Sequence, residues 1–111
     1  MKLILVIALS LFISTPAWSS DPWRTPAHTK VEDIFKSGAE KTAKDALWTA
    51  SDIFKVAVFD DGSSRNGYAE YVCTVLFNNG FKGKKIWVQV VDMAKIVQQV
   101  GFIKIGEARC K

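Results

Sequence analysis

Eight consecutive residues, Asp60-Asp61-Gly62-Ser63-Ser64-Arg65-Asn66-Gly67, bring two carboxylates, two hydroxyls, a guanidinium and an amide within reach of one another. Such a set can hold a cation, a sugar or a polar peptide. If the loop stands at the carboxyl end of a strand and feeds a helix, its backbone N–H groups also favour an anion. The same residues equally make a solvated turn in which Asp and Ser cap the helix and Arg65 forms a surface ion pair. Asp60 and Asp61 lack the alternating ligands and distal Glu of an EF-hand loop.

Histidine usage narrows the chemistry further. The single His28 lies ahead of the segment expected to fold, so that segment has no base for a Ser-His-Asp or Cys-His site. No His/Cys cluster has zinc-binding spacing, and neither a metal nor a cofactor is expected. A carboxylate-only hydrolase, pairing Asp60 or Asp61 with Glu70 or Glu107 as acid and base, stays open on composition alone.

Three other groups stand out. Cys73 and Cys110, the only cysteines, are expected to form a disulfide. Trp23, in the Pro-flanked stretch Asp21-Pro22-Trp23-Arg24-Thr25-Pro26, is a candidate anchor for a partner, or a ring folded back on the core edge. Lys82, Lys84 and Lys85 after Phe81 can face an anionic surface, or simply solvate a turn and guard a strand. Trp48 and Trp87 sit in apolar contexts and are expected in the core.

Behind these residues the patterning predicts an α+β domain. Thr29-Lys30-Val31-Glu32 reads as a capping box, opening an amphipathic helix whose apolar face runs from Val31 through Ile34, Phe35, Ala39, Ala43 and Ala46 to Leu47. Ile53–Phe59 is a strand that stops at the Asp60 turn. Tyr68–Phe77 fits a helix capped by Ser63 or Ser64 and ended at Gly80, although its alternation also fits a strand turned by Asn79-Gly80. Lys85–Val91 is a strand with Ile86, Val88 and Val90 on one face and Trp87, Gln89 and Val91 on the other. Asp92 caps a short helix from Met93 to about Val100, and Phe102–Ile105 is a last strand. The expected architecture is a three-stranded sheet with a parallel strand-helix-strand unit; the alternative is an antiparallel, hairpin-based sheet with one or two helices.

Lys2, the apolar run Leu3–Ile13 and Thr15-Pro16-Ala17-Trp18-Ser19 have the basic start, apolar middle and small-residue exit of a secretory signal, cleaved after Ala17 or Ser19. The run is too short to span a bilayer. Residues 1–19 are thus an address to the periplasm or outside, residues 20–28 a mobile arm, and residues 29–111 one disulfide-stapled domain. Net charge is +4 for the full chain, of which Lys2 carries one, and the acids are interspersed among the lysines. That is too weak and too even for a nucleic-acid binder, and no stable membrane anchor is expected. The expected function is non-enzymatic binding of another protein, as an inhibitor or immunity-like factor. The alternatives are an accessory subunit of an envelope or secretion assembly, and the small hydrolase.

Overall fold

The computed structural model describes residues 21–111; the expected signal segment lies outside them. Helix α1 (Pro26–Lys36) begins earlier than the Thr29 box implies. Pro26 presets the first helical turn, and Thr25 before it becomes the cap. The Thr25 hydroxyl accepts from the His28 N–H at 3.4 Å, and His28 Nδ1 accepts from the Thr25 N–H at 3.1 Å. Histidine therefore takes the place that Glu fills in an ordinary capping box. Pro26–His28, expected in a mobile arm, belong to this helix.

The helix ends at Ser37, because Gly38 adopts φ +91°. The apolar spacing that extended it to Leu47 is broken there, and Asp45–Ala50 forms strand β1 instead. Ala46 and Trp48 face inward while Asp45, Leu47 and Thr49 face out, a period of two that overlaps the helical pattern. The sheet consequently has four strands, not three. Its order is β1-β2-β3-β4, with β2 Ile53–Val58, β3 Ile86–Asp92 and β4 Lys104–Cys110.

Strands β1 and β2 form an antiparallel hairpin, β2 and β3 run parallel, and β3 and β4 run antiparallel. The parallel pair is joined by α2 (Asn66–Leu76), the helical alternative for Tyr68–Phe77. A π-helical turn (Phe77–Phe81) follows, bent at Asn79 and Gly80, and it delivers Phe81 to the core. Asp92 caps the short α3 (Met93–Val97) by accepting from the Ala94 N–H at 3.0 Å.

One face of the sheet is fully covered. Val31 and Phe35 of α1, and Ala69, Val72 and Leu76 of α2, bury Ala46, Trp48, Phe54, Val56, Val58, Ile86, Val88 and Val90. Each large side chain in such a core contributes about 1.5–3 kcal/mol of burial. On the other face α3 and the loop after it pack: Ile96 approaches Leu47, Lys55, Ala57 and Val91, and the Phe102 ring lies beside Lys55.

Part of each sheet edge is occupied. On β1 the Ala46 N–H donates to Asp45 Oδ1 at 2.8 Å and the Trp48 N–H to Glu32 Oε2 at 3.1 Å. Along β4 the Ile105 carbonyl accepts from the Arg65 N–H at 3.0 Å, and the Glu107 N–H donates to Asn66 Oδ1 at 3.0 Å. Two N–H groups on β1, and one carbonyl and one N–H on β4, are thereby withheld from a foreign strand. The expected disulfide joins Cys73 of α2 to Cys110 of β4, with Cα atoms 5.4 Å apart.

Candidate functional site

The Asp60–Gly67 loop stands where the sequence placed it, at the carboxyl end of β2 and the start of α2. Its polar groups are turned on one another. Asp60 Oδ1 accepts from the Gly62 N–H at 2.9 Å, and Asp61 Oδ1 accepts from both the N–H and the hydroxyl of Ser63 at 2.9 and 2.5 Å. The Ser63 bonds hold the Asp61 carboxyl below its usual range, with Arg65 adding to the effect. Arg65 donates to the Phe59 carbonyl at 2.9 Å and lies 3.6 Å from Asp61 Oδ2. Ser64 Oγ accepts from the Asn66 N–H at 3.3 Å, and Asn66 in turn binds β4. The loop thus builds the β2–α2 turn and fastens it to the last strand.

Gly106 shows how close that fastening is. A Cβ there would lie 2.4 Å from the Arg65 carbonyl carbon, so only glycine lets β4 pass the turn. Two buried atoms behind the turn, Arg65 Nε and the Tyr68 hydroxyl, make no hydrogen bond. Burial, reinforced by the Glu40 and Tyr71 charges, pushes the Tyr68 hydroxyl up to about 12. Glu40 itself accepts from the Tyr71 hydroxyl at 2.9 Å, which raises Tyr71 as well.

Trp23 is half-buried against the core cluster, its ring edge-to-face with His28 at 5.3 Å. Arg24 beside it pairs with Glu32 at 3.2 Å, the same carboxylate that accepts from Trp48. His28 is 5% exposed and fully bonded. Its Nδ1 accepts from Thr25, so Nε2 carries the proton and donates to the Ser51 carbonyl at 3.0 Å, while the ring packs on Trp48 and Phe81. Arm and histidine together close the end of the core.

Less evident from sequence is the second, partly covered sheet face. The ladder aligns Leu47, Lys55, Gln89 and Glu107 in one row and Ile53, Trp87 and Arg109 in the next. Trp87, expected in the core, is half-buried here beneath the Arg109 guanidinium, which lies 4.1 Å from the ring centre. The indole N–H donates to Glu107 Oε1 at 2.9 Å, and Lys104 Nζ meets the same oxygen at 3.0 Å. Those bonds hold the Glu107 carboxyl below its usual range, which suits it to pairing and not to proton donation.

Lys55 stands at the middle of this face. It donates to Gln89 Oε1 at 2.5 Å and lies 5.3 Å from the Phe102 ring centre. Partial burial, and then the charge of Lys104, lower its pKa. Beside it Leu47 and Phe102 are exposed apolar side chains. The alternation of β3, which sets Trp87 and Gln89 opposite Ile86, Val88 and Val90, was the signal that could have found this surface.

No protein-family model, curated protein or solved structure gives a significant match to the chain. Among the described residues, no group of three His, Cys, Asp or Glu could hold a metal, and no helix is long and apolar enough to cross a membrane.

Proposed function

We propose that the chain is a non-enzymatic protein-binding factor of the periplasm or extracellular space, inhibitor- or immunity-like, which docks an acidic partner on the open face of its sheet. The observation that carries this reading is the composition of that face. Lys55 and Arg109 form no ion pair with a described residue; Lys55 lies beside the exposed Phe102 ring and in register with exposed Leu47, and Arg109 lies over the Trp87 ring. An apolar centre with unpaired cations is complementary to a partner surface bearing apolar anchors and carboxylates.

Two further observations support it. The partners already held by outward groups of β1 and β4 discourage strand addition there. The disulfide suits an oxidising compartment, in keeping with the secretory address read from residues 1–19. The hydrolase reading has less support, since Asp61 is committed to its turn and Glu107 to Lys104 and Trp87.

A photo-crosslinking residue at Phe102, introduced into the exported protein in the producing cell, tests the reading. The expected result is a discrete protein adduct from Phe102 and none from the same probe at Lys30, on the solvent side of α1. Equal adducts from both positions, or none from either, would contradict it.

A further inference from the structure

Two of the three lysines after Phe81, Lys84 and Lys85, border two adjoining cavities at the end of the sheet where β2 and β3 begin, while Lys82 lies over the Phe77 ring. One, of about 450 Å³, is lined by Asp52, Ile53, Lys85, Trp87, Arg109 and Lys111 among others. The other, of about 420 Å³, includes Ala27, Ser51, Phe81 and Lys84 in its wall. Asp52 and Lys85 belong to both walls, so the two form one trough. Its floor is apolar, from Ile53, the Trp87 ring and Phe81.

The side-chain charges along it are Lys84, Lys85, Arg109 and Lys111, against Asp52 alone. None of these five forms an ion pair with a described residue. We infer that this trough receives an extended acidic polypeptide segment, with carboxylates toward Lys84, Lys85 and Arg109 and an apolar side chain against Trp87. Two linked cavities on an apolar floor suit a chain with alternating side chains better than a compact anion, and the cation excess selects acidic residues. The inference rests on the reading of the chain as a protein-binding factor, and it assigns the trough to a segment of the partner that continues past the open face.

The test is an NMR titration of the 15N-labelled exported form with the acetylated peptide Glu-Leu-Glu-Gly-Glu-Leu. Its lysine counterpart and inorganic phosphate serve as the other arms. Saturable shifts are expected at the Trp87 indole N–H and at Lys84, Lys85, Arg109 and Lys111, with the lysine peptide at least tenfold weaker. In Lys84→Glu/Lys85→Glu the acidic peptide binds at least tenfold more weakly. The single Lys85→Gln, at an exposed position, moves affinity the same way by threefold or more.

Equal binding of the two peptides, no saturation, or an unchanged affinity in both variants would overturn the inference. So would phosphate alone reproducing the same shifts and displacing the peptide, since the trough would then be a small-anion site. If peptide binding fails while the Phe102 adduct persists, the trough assignment falls alone. If the adduct fails while peptide binding persists, the open-face reading falls alone.

Discussion

The Asp60–Asn66 loop and the open sheet face contrast in how their polar groups are used. The loop has the denser chemistry in sequence, yet most of its polar groups meet a partner inside the turn or on β4. On the face the chemistry is sparse, and Lys55 and Arg109 are left beside apolar rings with no carboxylate of their own. A polar group already satisfied at home gains little from a ligand, whereas an unpaired cation on a partly apolar surface gains an ion pair. Density of reactive residue types is thus a poorer guide to a binding site than the bonds those residues still lack.

The contrast makes loop substitutions a matter of stability and face substitutions a matter of binding. The largest expected effect is on the staple that holds α2 and its loop against β4. Replacing Cys73 and Cys110 together with Ser should cost roughly 3–4 kcal/mol in denaturant unfolding of the exported form. A loss below about 1 kcal/mol would mean that β4 docks without help. Next comes Gly106→Ala, expected to cost about 2–3 kcal/mol because the added methyl meets the Arg65 backbone.

Asn66→Ala, which leaves the Glu107 N–H without its acceptor, should cost about 1 kcal/mol and leave partner binding intact. Arg109→Ala reverses that pattern: about 0.5 kcal/mol of stability, from its contact with Trp87, but a clear loss of Phe102 adduct. Should Arg109→Ala prove the more destabilising of these two, the division between building and binding regions is wrong.

The smallest effect concerns Tyr68. Its hydroxyl titrates near 12 in the folded chain against about 10 unfolded, so the folded state holds the proton longer. The stability this contributes is complete below pH 10 and is lost as pH rises toward 12. Tyr68→Phe should flatten that alkaline slope and cost little at neutral pH, because the hydroxyl has no partner to lose. Unfolding free energies measured at intervals between pH 9 and 12 give the answer.

The parallel β2-α2-β3 unit was legible because its signals are local: an apolar run stopped by Asp60-Asp61-Gly62, a helical face, Gly80, then clean alternation. Strand β1 was not. Ala39, Ala43, Ala46 and Leu47 suit a helix as well as Ala46 and Trp48 suit a strand, and Gly38 decides between them only through the backbone it adopts. Glu32 read as a local capping residue, while its partners, Trp48 and Arg24, are sixteen and eight positions away. His28 is buried by Ser51, Trp48 and Phe81, none of which its own neighbourhood announces.

The loop's position was also legible, but not its self-sufficiency, which depends on Ile105 and Glu107 from the far end of the chain. The open face was half-written in the alternation of β3. That only α3 and the loop to Phe102 lie over it is a property of the whole fold.

The open face and the loop are separated by the yield of the Phe102 photo-adduct in two variants of the exported protein, Lys55→Glu/Arg109→Glu and Asp60→Asn/Asp61→Asn. Binding on the open face requires that the adduct be abolished in the first and retained in the second. Retention in the first with loss in the second would contradict it and return the loop to the place of the binding site.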